Sequence, residues 1–305
     1  MDMSGLMTKM VIFVVLMVIG YFCAKIGMAT PEFTKTTSKL VINFFMCATI
    51  LNSVISTELN VSGSELATAF LVVTITIVTC YLVAAIVSRL LPMEDEKRPL
   101  FELLIAVVNN MFIALPVVDQ LFGAQAVFYC SLSNLPYNIL LYTYGVWRLK
   151  SGDGDKVSIK DIISIPLICT CTAVLIFMLQ IPMPGVVKEL VKSVSGATMP
   201  LSMIVIGSSL GTVTLGAAFK QWRLYVMSFC RLIIVPLIVW FACRFVTSDP
   251  MLLITAVIIG ASPSAVVVSV LTIKYEKNAI FTSQGILHST ALAMFTIPAI
   301  VYLMM

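Results

Sequence analysis

Apolar stretches of about 20 residues, the length that crosses roughly 30 Å of hydrocarbon, recur along the whole chain with short polar punctuation between them. Pro, Gly and charged residues mark off ten predicted spans, at 8–28, 37–56, 64–90, 98–122, 124–148, 159–180, 186–210, 218–246, 250–273 and 278–303. Spans three and eight exceed what a bilayer needs, which predicts tilt. The first is followed by Lys25 rather than by a small-residue cleavage site, so it reads as a span and not as a removable leader. The most polar connection, KSGDGDKVS from Lys150 to Ser158, falls in the middle of the chain. It divides the sequence into a first five-span repeat (1–150), a cytoplasmic linker (151–158) and a second five-span repeat (159–305).

Two spans carry an internal interruption, one in each half. These are AVVNNMFIALP, from Ala106 to Pro116, and AVIIGASPSAV, from Ala256 to Val266. Pro, Asn, Gly and Ser in mid-bilayer release backbone N–H and C=O groups that lipid cannot satisfy, so such a break belongs only where it lines a protein-enclosed cavity. A pair of breaks at corresponding positions is the pattern of a secondary transporter that holds its substrate between half-helices near the midplane. Five spans per half is an odd number, so the second half enters the membrane inverted. Ala106–Asn110 aligns with Ala256–Gly260, Pro99 with Pro250, and FGAQAVF (122–128) with EKNAIFT (276–282). The predicted fold is an all-α integral membrane protein of ten helices, an inverted 5+5 repeat with broken, crossing helices 4 and 9.

Composition agrees with the pattern. With 60% hydrophobic residues, 11% charged residues and a mean hydropathy of +1.05, the chain has too little polar surface to cover a soluble globule. Basic residues set the orientation. If the N-terminus lies outside, 14 of the 19 Lys and Arg flank the cytoplasmic connections and four lie outward. Both termini are therefore expected on the extracytoplasmic side of the cell membrane. The net charge of +4 reflects this topology and not a nucleic-acid surface. The eight cysteines show no C-x-x-C spacing and read as reduced packing residues, with no metal site or disulfide expected. Asn60-Val61-Ser62 matches a glycosylation sequon in an outward loop. No G-x-S-x-G, H-E-x-x-H or P-loop pattern occurs, so no enzyme and no cofactor is expected.

The candidate chemistry gathers at the two breaks. Half-helix N-termini present free N–H groups and partial positive charge, which suits an anion without any basic side chain. Asn109 and Asn110 add amides, and Ser262 and Ser264 add hydroxyls from the other half. Pro116 and Pro263 each lack an N–H and crowd the preceding turn, with Gly260 beside the second break, so they are expected to keep the helices open. His288, the only histidine, lies well inside span ten and aligns with Asn134 in span five. It reads either as a carrier of a coupling proton or as a neutral hydrogen-bonding residue between helices. Arg231 is deep in span eight, where an unpaired guanidinium costs at least about 2.5 kcal/mol. It is either a second anchor for a dicarboxylate or a lock to a carboxylate such as Glu102 or Asp119. Asp119 itself faces an outer vestibule or binds a coupling cation.

These residues also carry a resemblance. SKLVINFF (38–45), NNMFIALPVVDQLFG (109–123), GATMPLSMIVIGSSL (196–210) and ASPSAVVVSVLTIKY (261–275) occur in the order and at the spans seen in the auxin efflux carrier family. That family comprises bacterial malonate, malate and lactate permeases and the plant PIN auxin exporters, and is related to bile acid, arsenite and riboflavin transporters. Departures are Asn110 where Thr is common, Ala114 where Gly is usual, Cys47 where Pro often stands and Lys274 in place of an acidic residue before Tyr275. The resemblance implies a scaffold domain of helices 1, 2, 6 and 7 that also forms a homodimer. It further implies a transport domain of helices 3–5 and 8–10. The expected function is alternating-access movement of a small organic anion across the cell membrane, against the alternative of a substrate-binding receptor or sensor on the same fold.

Overall fold

The structure is a computed structural model, and it describes residues 3–55, 62–150, 165–211 and 219–304. The polar linker at 151–158 and the Asn-Val of the sequon lie outside these residues. All regular elements described are helical. Among the described residues, five helices are long and apolar enough to cross a membrane: Pro31–Ile55, Gly63–Leu90, Gly185–Gly211, Trp222–Cys243 and Ala279–Met304. Shorter apolar helices cover Val14–Lys25, Asn110–Phe122, Ile165–Leu179 and Pro250–Ala261. The molecule is thus a multi-pass all-α membrane bundle. Predicted spans four and nine do not appear as continuous helices, because each is broken inside the apolar stretch.

Two compact units are formed by interleaved segments of the chain. The first comprises 1–70, 111–134 and 165–213. Its helices are α1 (Met3–Lys25), α2 (Pro31–Leu40), α3 (Met46–Ile55) and the start of α4 (Gly63–Leu90). Thr30 caps α2 through its Oγ1, with Pro31 at the first helical position. The start of α4 is set by a reciprocal Ser62–Glu65 pair, each side chain accepting from the other's main-chain N–H, a capping box. Gly123, at φ +73, turns the chain between α6 (Leu115–Phe122) and α7 (Ala124–Leu132) in a conformation that side chains with a Cβ avoid. Three further helices, α10 (Ile165–Leu179), α11 (Gly185–Gly196) and α12 (Thr198–Gly211), complete this unit.

Small residues bring α1 and α12 together. A Cβ on Gly207 would lie 1.9 Å from the Met17 carbonyl oxygen, and one on Gly20 would lie 2.2 Å from the Ile204 carbonyl oxygen. Gly207 and Gly211 form a G-x-x-x-G stripe, the first against the Met17 backbone and the second against Ala24 and the Tyr21 backbone, the device by which helices in lipid gain contact through backbone approach. Ser208 Oγ adds a hydrogen bond to the Gly20 carbonyl at 3.2 Å.

The second unit comprises 71–110, 135–164 and 214–305. It holds most of α4, then α5 (Arg98–Ala106), most of α8 (Asn134–Leu140), α9 (Val146–Leu149), α13 (Trp222–Phe229) and α14 (Val235–Cys243). It also holds α15 (Pro250–Ala261), α16 (Val267–Lys274) and α17 (Ala279–Met304). Asp249 caps α15, accepting from the Met251 N–H at 2.9 Å, and Pro250 takes the first helical position. Leu100–Ala106 and Thr255–Ala261 are buried on all sides, as expected for helices apolar all round.

Candidate functional site

Helix α5 stops at Ala106, and Val107 is extended at φ −92 and ψ 107. Helix α15 stops at Ala261, and Ser262 is extended at φ −66 and ψ 143. The two released segments pair with each other. Val108 and Ser264 form an antiparallel β-bridge, in which the Asn109 N–H donates to the Pro263 carbonyl at 2.9 Å and the Ala265 N–H to the Val107 carbonyl at 3.0 Å. Backbone groups freed by the breaks thus satisfy one another, which an apolar surrounding requires.

Side chains complete the junction. Ser262 Oγ donates to the Ile258 carbonyl at 2.8 Å and Ser264 Oγ to the Leu104 carbonyl at 2.5 Å. Both hydroxyl protons are therefore spent on backbone, and what these serines retain is acceptor capacity. The Ser264 N–H donates to Ser289 Oγ at 3.2 Å, which ties the junction to α17. Asn109 and Asn110 are buried at the start of the continuing segment.

Arg231 reaches the same place from a π-helical turn, Cys230–Ile234, that precedes Pro236. Pro236 has no N–H to offer and its ring crowds the carbonyl four residues back, which accounts for the widened turn. The side chain is 0% exposed. Its Nε donates to the Ser262 carbonyl at 2.8 Å, and its Nη1 to the Ile105 carbonyl at 3.1 Å and Cys80 Sγ at 3.3 Å. Its Nη2 is buried without a hydrogen-bond partner among the described residues.

Of the two carboxylates proposed as a lock for Arg231, Glu102 is engaged elsewhere. Glu102, 1% exposed, accepts from Arg148 Nε at 2.9 Å and Nη2 at 2.6 Å, from Ser88 Oγ at 3.2 Å and from the Tyr144 hydroxyl. This cluster fastens α5 to α4 and to the 141–149 segment. A carboxylate in an apolar span needs a partner, which was the available signal, but spacing alone did not identify Arg148. Beside the cluster lies a pocket of about 430 Å³, lined in part by Asp95, Lys97, Arg148, Glu276 and Lys277. Its wall carries both signs of charge, so it does not favour an anion.

His288 is buried, with Nδ1 against Ser228 Oγ at 2.8 Å. The rings of Tyr225 and Phe219 lie 4.4 and 4.9 Å away, centroid to centroid, and Nε2 has no partner among the described residues. Gly260 is inside α15, where an added Cβ would meet Val239 Cγ2 at 3.3 Å, so it serves close packing and not the break itself. Pro116 also lies off the break. It is the second residue of α6, after a π-helical turn at Asn110–Ala114, while the extended residues are 107–109. Pro116, Asp119 and Asn134 belong to the first unit, where Asn134 Nδ2 donates to Thr170 Oγ1 at 3.1 Å. Among the described residues, no group of three or more His, Cys, Asp or Glu could hold a metal ion.

The chain matches known proteins over nearly all its length. The family model described as "Membrane transport protein" matches residues 5–156 and 154–301. An uncharacterized transporter of Methanocaldococcus jannaschii is 27% identical over 304 residues, covering 95% of this chain and 96% of that protein. An uncharacterized transporter of Methanothermobacter thermautotrophicus is 26% identical over 290 residues, covering 93% of each.

Proposed function

Because the chain belongs to the membrane transport protein family, and so is a transporter and not an enzyme, we propose that it moves a small organic anion by alternating access. The substrate class is a mono- or dicarboxylate, auxin-like acids included. One observation carries the reading. A fully buried guanidinium with no carboxylate partner among the described residues lies where two interrupted helices meet, with an unpaired N–H-bearing nitrogen to spare. The free Nη2 donor of Arg231, half-helix N-termini and the amides of Asn109 and Asn110 suit a carboxylate better than a cation. In this reading the chain is an inverted repeat of five plus five helices, the breaks form the crossing of helices 4 and 9, and both termini lie outside the cell. A homodimer forms through helices 1, 2, 6 and 7.

A thermal-shift panel of mono- and dicarboxylates on the purified protein, repeated with Asn109→Ala, tests the site. Uptake of the stabilising anion into liposomes tests transport. Stabilisation lost in the variant, together with accumulation of labelled anion, is the expected result. Binding without accumulation would make the protein a receptor, and no shift with any carboxylate would remove the substrate class.

A further inference from the structure

Arg231 does more than supply charge. The Ser262 and Ile105 carbonyls that it binds belong to the C-terminal ends of α15 and α5, the first halves of the two interrupted helices. A helix end leaves its last carbonyls unsatisfied and carries about half an elementary negative charge. Two such ends together match one guanidinium. Arg231 takes no part in the ion pairs Lys97–Glu94, Arg98–Asp95 and Arg148–Glu102. Its counter-charge is therefore the pair of helix ends. In transporters built on broken helices, unwound carbonyls and half-helix C-termini are the groups that coordinate a coupling sodium ion or proton.

We propose that Arg231 is a tethered counter-cation, which occupies through a side chain the position a coupling metal cation would take at the two half-helix C-termini. The junction is then held together without sodium, and the working cycle needs no monovalent metal ion. The inference rests on the junction being the transport site but not on which anion is carried. The geometry of the guanidinium explains the choice of residue. Its planar fork sends Nε to one helix end and Nη1 to the other, which the single ammonium of a lysine does not reproduce.

The test compares thermal unfolding of the full-length wild type in sodium, potassium and N-methylglucamine chloride at equal ionic strength, with no substrate present. Equal midpoints are expected. Arg231→Ala is expected to unfold about 5 °C or more lower and to recover part of the loss in millimolar methylguanidinium chloride but none in choline chloride. Arg231→Lys should fall between the two. A wild-type midpoint that rises specifically with sodium would overturn the proposal, as would an Arg231→Ala protein that is as stable as wild type or indifferent to methylguanidinium. If Arg231→Ala does not fold, the wild-type salt series and Arg231→Lys still decide. An anion panel that fails on the wild type removes the carboxylate reading and leaves this one standing.

Discussion

The main-chain N–H of Asn109 donates to the carbonyl of Pro263, 2.9 Å away across the two interruptions. Pro263 follows the end of one helix and supplies the acceptor, and Asn109 is the last extended residue before the π-helical turn of the other. Because the bond is made by main chain on both sides, it separates the structural role of position 109 from the role of its side chain.

Asn109→Ala is accordingly expected to keep the fold and to weaken anion binding about tenfold or more, roughly 1.4 kcal/mol. Thermal-shift titration reads this out. Asn109→Pro deletes the N–H and leaves the Pro263 carbonyl buried without its donor, a cost of about 1–3 kcal/mol before any strain. Its recovery as a monodisperse peak on size exclusion should fall well below that of Asn109→Ala.

Glu102 and Arg148 should show strong coupling. Removing Arg148 leaves the buried Glu102 charge without its cation, at about 3–5 kcal/mol, and removing Glu102 leaves the half-buried Arg148 unpaired at a smaller cost. Replacing both with apolar residues of similar volume is often neutral. Arg148→Met is expected to lower the unfolding temperature sharply and Glu102→Leu to lower it less, and the double variant to recover most of the loss. Additive losses in the double-mutant cycle would show the pair to be independent.

The α1–α12 contact depends on the absence of a Cβ. Gly207→Ala is expected to destabilise by about 1–3 kcal/mol through overpacking. Gly196→Ala, where an added Cβ meets nothing within 4 Å, should stay within about 1 kcal/mol of wild type. Equal unfolding temperatures for the two variants would contradict the close approach.

For His288, the Ser228 hydrogen bond favours a packing role. His288→Asn retains a polar group near the Nδ1 position and removes Nε2. It is expected to keep the pH profile of liposome uptake while costing about 1 kcal/mol of stability. A flattened profile in this variant would instead make the imidazole a proton carrier.

How far the sequence reached can be seen at particular residues. Ala106–Pro116 and Ala256–Val266 are legible as interruptions because Pro, Asn and Ser in an apolar run have no other use in lipid. The position of each break within the run is not legible. Pro116 marks a widened turn and the extended residues precede it, since the chain opens where another segment offers replacement hydrogen bonds and not simply where a proline stands. Arg231 is legible as a charge in need of a partner, and Glu102 as a carboxylate able to supply one. Their actual partners are not, because helices buried on all sides carry no amphipathic face from which to read which neighbour they meet.

Burial in hydrocarbon constrains every residue locally through length, hydropathy and backbone satisfaction, and for that reason the class of molecule and the two interrupted stretches can be read from residue order alone. The packing of the helices adds that the breaks pair with each other through Val108 and Ser264, that one guanidinium closes the ends of both α5 and α15, and that Arg148 is the residue that answers Glu102. Those are contacts between residues 31 to 156 positions apart. They follow from how whole helices stack, a quantity that no local pattern of apolar and polar positions encodes.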